Sequence, residues 1–203
     1  MVASVMTLER EHVTDVVAVL AEAFHEYPVM RYVLGASDDY AARLDRLVTF
    51  FVMARVLRGE ALLGIAGADG LGAAALVSRP DGESPSELDA LRERTWVVLG
   101  DDARHRYENF GHATALTAVM DPHIHLNMIG TRRAVRGLGM GRLLLDAVHG
   151  MSERDETSMG VSLTTEVAQN LALYEHFGYE IVGSSEVGSA FTTWTMFRRN
   201  AAR

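Results

Sequence analysis

Apolar residues change their spacing several times along the chain, and each change marks a predicted element. The run Val5 to Leu8 is short and apolar and predicts an opening strand. From Val13 the spacing becomes helical: Val13, Val16, Val17, Leu20 and Phe24 share one face, so a helix is expected to about His25. Tyr27, Pro28 and Gly35 to Asp39 break that pattern. A second helix follows, with Leu44, Leu47, Val48 and Phe51 on one side, ending near Gly59. Ala61 to Ala66 and Leu71 to Ser78, around a Gly-Ala-Asp-Gly turn, predict a hairpin. Arg79 to Pro85 is a polar loop. Two helical stretches, Ser86 to Leu99 and Asp102 to Thr117, end at Asp121-Pro122.

The second half alternates more regularly. His123 to Thr131 predicts a strand with Ile124, Leu126, Met128 and Gly130 on one face and His123, His125, Asn127 and Ile129 on the other. After five residues comes a glycine-rich turn, then a helix carrying Leu143, Leu144, Ala147, Val148 and Met151. Gly160 to Thr165 predicts a strand and Ala168 to Phe177 a short helix closed by Gly178. Tyr179 to Gly183 and Ala190 to Arg198 predict the last strands. This mixed order predicts an α+β (mixed α/β) fold rather than a doubly wound sheet, and 203 residues suit one domain spanning 1–203.

Composition narrows the chemistry. There is no Cys, which excludes disulfides, thiolate metal sites and a cysteine nucleophile. All 19 basic residues are Arg, so no lysine is present for a Schiff base or a Walker-type loop. The net charge of −8 disfavours sequence-independent nucleic-acid binding and gives a weak bias towards a cationic acceptor. No run approaches the ~20 apolar residues of a membrane helix. The first residues lack a basic segment followed by an apolar run, so no signal peptide is expected, and a cytoplasmic protein with no membrane partner is.

The most informative segment is Arg136-Gly137-Leu138-Gly139-Met140-Gly141, which opens a helix after a strand. Glycines let a backbone approach a ligand closely, and a helix start presents free N–H groups and a positive dipole end. Together these predict a phosphate or pyrophosphate site. Gly141 is followed by Arg142 and Leu143, not by Lys and Ser or Thr, so this is not a Walker loop. The five residues between strand and turn, and the early third glycine, also depart from the dinucleotide fingerprint.

Arg136, Gly139 and Gly141 fit the R/Q-x-x-G-x-G/A turn of the GNAT N-acetyltransferases, which the chain resembles. The resemblance extends over His123 to Thr131, Asn170 to Glu180 and Trp194 to Arg198, in the family's order and spacing. Ala23 to Pro28 is similar to the first-helix ending of the branch that includes puromycin N-acetyltransferase. The resemblance implies a mostly antiparallel sheet of six to seven strands, with a splayed parallel pair that holds acyl-CoA. It implies acetyl-CoA as acyl donor, no metal, and an amine acceptor on a small molecule or peptide. Homodimers are common among such enzymes. Ile129 and Thr131 would offer backbone groups to the pantetheine arm, Arg136 to Arg142 (with Gly137, Leu138 and Met140) would wrap the pyrophosphate, and Asn170 would contact the arm. Tyr174 would be the general acid for the leaving thiolate.

The base is expected at His123, on the strand before the turn, with Glu166, at the end of the next strand, as the second candidate. Glu26 and His125 are candidates to hold the acceptor. Arg132-Arg133 stands where many relatives carry Asp-Pro, and is read as a phosphate contact or a solvated pair; Leu163 is followed by Thr164 and Thr165 where relatives often carry Glu. Two other readings stand beside the enzyme. One is an acyl-CoA sensor or scaffold of the same fold, without catalysis. The other is a metalloenzyme using His123 and His125 at i, i+2 on one strand face.

Overall fold

The computed structural model describes residues 4–80, 82 and 84–201. Residues 1–3, 202 and 203, which belong to the expected domain, and positions 81 and 83 of the polar loop lie outside the described residues. Strand β1 (Val5–Leu8) leads into α1 (Val13–Phe24), α2 (Pro28–Leu34) and α3 (Tyr40–Leu57). The hairpin β2 (Leu62–Gly67) and β3 (Gly70–Ser78) is followed by α4 (Ser86–Leu99) and α5 (Asp101–Ala115). Then come β4 (Ile124–Thr131), α6 (Met140–Arg154), β5 (Gly160–Thr165), α7 (Gln169–His176), β6 (Glu180–Val187) and β7 (Phe191–Arg199). The strands form one sheet in the order β1-β2-β3-β4-β5-β7-β6. Every pairing is antiparallel except β4 with β5. This is the mixed α/β fold that the sequence predicts.

Two expectations are corrected. Pro28 does not simply end helix α1; it occupies the first turn of α2, where its missing N–H costs nothing, and Val29, Met30, Val33 and Leu34 are buried. The second correction concerns the faces of β4. Met128 pairs with Leu76, but Leu126 pairs with Val77, so Asn127 is an extra residue, a β-bulge. The bulge reverses the alternation. Ile124, Leu126 and Ile129 face the α6 side, whereas Met128 and Gly130 face α1 with Leu20 and Ala23.

The core has two layers, one on each side of the sheet. On one face α1, α2 and α3 bury Val16, Val19, Leu20, Val33, Leu44 and Leu47. On the other α6 buries Leu144, Leu145 and Val148 against β2, β3, β4 and β5. Gly130 lets α1 lie directly on β4, since a Cβ there would sit 2.6 Å from that of Ala23.

The parallel pair is short. Only Ile124, His125 and Leu126 of β4 pair with β5, through Val161, Ser162 and Leu163. Beyond Leu126 the strands part. Backbone groups of β4 on that side therefore have no strand partner, although buried peptide groups need one. The opening created there holds the site.

Candidate active site

The gap between β4 and β5 opens into a cavity of about 660 Å³. Asn127, Ile129 and Thr131 line it from β4, Leu163 and Thr164 from β5, and Asn170 and Tyr174 from α7. Arg136, His123, His125 and Glu166 also reach it. Eight of the residues expected from sequence are thus brought together: Ile129, Thr131, Arg136, Asn170, Tyr174, Glu166, His123 and His125.

The glycine turn lies beside this opening. Gly137 (φ +80) and Gly139 (φ +79) adopt left-handed backbone that disfavours other residues, and a Cβ at either would meet nothing within 4 Å. Two N–H groups of the turn bond within it, Arg136 to the Arg133 carbonyl and Leu138 to the Val135 carbonyl. The N–H groups of Gly137, Gly139, Met140, Gly141 and Arg142 carry no hydrogen bond among the described residues. Five free donors in an open loop, at the positive end of a 15-residue helix, fit a pyrophosphate. Met140 contributes only its backbone, because its side chain is buried in the core. The Arg142 side chain lies 3.7 Å from Asp146.

Arg132 does not serve as a free phosphate contact. Its Nε donates to the Leu71 carbonyl at 2.9 Å and its Nη1 to Glu22 Oε2 at 3.1 Å. The Arg133 N–H donates to Glu22 Oε1 at 2.7 Å, which helps hold the Glu22 carboxyl below its ordinary pKa. The pair anchors the turn to α1. Glu26 is likewise engaged elsewhere: it is exposed, outside the cavity lining, and bonded to Arg31 and His25.

Glu166 is 8% exposed and sits just past β5. Thr193 Oγ1 donates to its Oε1 at 2.7 Å, and its own N–H donates to the Tyr27 hydroxyl at 3.2 Å. Burial raises its pKa above 4.5, with hydrogen bonds from Thr193 and Tyr27 offsetting part of the rise. Thr165 Oγ1 draws the corner together: it bonds the Tyr27 hydroxyl at 3.3 Å and accepts from Asn170 Nδ2, also at 3.3 Å. Tyr27 and Thr193 were not singled out in the sequence as site residues. Their one signal is position, next to Pro28 in α2 and within β7.

The Tyr174 hydroxyl makes no hydrogen bond to a described residue, so its proton faces the cavity uncommitted. Burial, and secondly the Glu166 charge, push its pKa up to about 12. Its ring meets that of Tyr179 edge-on at 5.7 Å, and the Tyr179 hydroxyl bonds His149 Nε2 at 3.0 Å.

The two histidines differ from their sequence reading in setting. His123 Nδ1 donates to the Asp121 carbonyl at 2.6 Å. His125 Nδ1 bonds Ser162 Oγ at 2.7 Å, and burial, His123 and Arg55 push its pKa down to about 4. No group of three or more His, Asp or Glu side chains stands at metal-binding spacing among the described residues. No helix among them is long and apolar enough to cross a membrane.

A parallel pair that parts beside a bulge, with a nest of free N–H groups at one end and a buried acid and a phenol at the other, is the architecture of an acyl-CoA-dependent acetyltransferase. The model of the Acetyltransferase (GNAT) domain matches residues 93–198, just over half of the chain. The chain belongs to that family, whose members use acetyl-CoA as acyl donor. The fold is similar to that of a Corynebacterium glutamicum protein described as histone acetyltransferase HPA2 and related acetyltransferase (TM-score 0.75, 20% identity, covering 100% of this chain and 99% of that one). It also resembles arylalkylamine N-acetyltransferase 2 from Aedes aegypti (0.69, 13%, 98% and 99%) and a Drosophila melanogaster polyamine N-acetyltransferase (0.59, 14%, 98% and 100%). At these identities the likeness is one of fold. No curated protein matches the sequence.

Proposed function

We propose that the chain, read over 1–203 as one domain, is an N-acetyltransferase that moves an acetyl group from acetyl-CoA to a primary amine. The observation that carries this reading is the continuity of the cavity. It runs from Arg136, beside five free N–H groups, through the parted strands to Glu166 and Tyr174.

The donor supplies a thioester, whose carbonyl carbon the amine attacks as the carbon–sulfur bond breaks. Glu166 takes a proton from the attacking nitrogen, directly or through water. We assign the base to Glu166 rather than His123 for two reasons. Its pKa is raised towards the working range of a base. It also stands where β4 and β5 have parted, whereas His123 precedes the paired segment. Tyr174 gives its proton to the departing sulfur. The two steps are coupled: once Glu166 is protonated, it no longer supplies the charge that helps hold the phenol's pKa high. Proton exchange with solvent then resets both groups. Asn170, whose Nδ2 donates to Thr165 Oγ1, contacts the pantetheine arm in this reading, as do Ile129 and Thr131 from β4. A puromycin-like acceptor is a narrower form of this reading and rests on Ala23 to Pro28 alone.

The test is thiol release from acetyl-CoA across a panel of amines, with wild type and Tyr174→Phe. The expected loss of kcat is about 10²- to 10⁴-fold, with the acetyl-CoA dissociation constant nearly unchanged. A variant as active as wild type would take the general-acid role away from Tyr174, and acetyl-CoA binding without thiol release on any amine of the panel would leave the acyl-CoA sensor or scaffold as the better reading.

A further inference from the structure

The acceptor half of the cavity has a carboxylate and a guanidinium in its lining, with aromatic side chains and the polar Ser78, Thr114 and Thr195 around them. At one end is Glu166, the one carboxylate among the described residues of the lining. At the other, where β4 begins, Arg55 reaches in from α3. Its Nε lies 2.9 Å from Glu60 Oε2, and its two terminal nitrogens have no hydrogen-bond partner among the described residues. His125, on which the Arg55 charge acts, pairs with Ser162, three strand residues before Thr165. Ser162 and Thr165, which adjoins Glu166, are about 10 Å apart along β5. Phe24, Tyr27, Met30, Phe51, Tyr107 and Phe110 line the space.

Glu60 pairs with Arg55 on its Nε side only, and Arg58 adds a second positive charge near Arg55. A partly buried guanidinium with free N–H groups binds a carboxylate through charge-assisted, often paired, hydrogen bonds. Among the described residues Glu166 is the cavity's sole carboxylate. A polyamine would set its second ammonium against Arg55.

We propose that the acceptor is an amino acid whose amine and carboxylate stand at opposite ends of an aromatic body, with Arg55 holding the carboxylate and the amine presented to Glu166. This rests on the acetyltransferase reading above and names its substrate class.

The test compares three amines at saturating acetyl-CoA: 4-(2-aminoethyl)benzoate, phenethylamine and spermidine. The expected kcat/KM for the benzoate exceeds that for phenethylamine by about 10-fold or more, and spermidine is the poorest. Arg55→Met combined with Glu60→Met removes both charges, so that neither is stranded. In that variant the benzoate's advantage should fall to about 2-fold or less. Arg55→Lys, which keeps a charge but not the fork, should retain part of it. Equal rates for the benzoate and phenethylamine in wild type, or a preference for spermidine, overturn the proposal whether or not the variants fold. An advantage that survives loss of Arg55 overturns it too. If acetyl-CoA raises the unfolding midpoint but none of the amines reacts, the acceptor class is wrong and the parent reading stands. If acetyl-CoA does not bind, the parent reading fails first.

Discussion

At Glu166 burial and hydrogen bonding pull in opposite directions, and burial wins. The carboxyl is needed ionised to accept a proton, so kcat should rise with pH through an inflection above 4.5, the ordinary glutamate value. Glu166→Gln is expected to lower kcat by about 10²- to 10⁴-fold and to abolish that inflection, while leaving acetyl-CoA binding near wild type. A pH–rate profile of wild type and variant checks this; an inflection that persists in the Gln variant assigns the base elsewhere. Tyr174 and Asn170 entered the sequence reading through the resemblance to the GNAT family, and Glu166 through its place at the end of a strand; all three line the cavity. The partners that tune Glu166 were not legible in the sequence. Tyr27 lies 139 residues away and Thr193 lies 27 away, and only the closed sheet brings either to the carboxylate.

At the scale of elements, the strands and long helices were legible from periodicity, but the features that make the site were less so. The bulge at Asn127 adds one residue without any compositional mark, so strict alternation places Met128 and Gly130 on the wrong face. Helix α2 was hidden because Pro28 reads as a break when it is in fact a first-turn residue. The glycine turn, in contrast, was visible, and its geometry supports a separable experiment. Gly139→Ala forces a side chain into left-handed backbone and should cost about 1–2 kcal/mol, or roughly 2–8 °C in the unfolding midpoint. Gly100→Ala faces the same strain, at φ +88 and with open space around its Cβ, but lies outside the cavity lining. Both should lose stability, and only the Gly139 variant should bind acetyl-CoA more weakly. Equal affinity in the two would mean that the turn does not hold the donor.

Across the whole molecule, a sheet covered on both faces leaves polar groups trapped inside, and these set how stability responds to pH. His125 and His149 are each pushed from 6.5 down to about 4, chiefly by burial. Between those values the unfolded chain binds protons that the folded one excludes, so stability should fall as pH drops from 6.5 towards 4. His149→Phe should unfold more easily at pH 8, because the Tyr179 hydroxyl loses its partner, yet show a shallower decline in that window. Thermal unfolding across the pH range reads both effects. The net charge of −8 is the one global feature that hinted at an acceptor, and among the described residues a single carboxylate, Glu166, enters the cavity lining. The central claim is that this cavity takes acetyl-CoA, and the most direct test is the unfolding midpoint with acetyl-CoA, free coenzyme A, NAD and ATP in turn. At a hundredfold excess over the dissociation constant the native state should gain about 2.7 kcal/mol, a rise of roughly 5–11 °C with acetyl-CoA. NAD and ATP should do much less. No rise with millimolar acetyl-CoA, or an equal rise with NAD, would contradict the account.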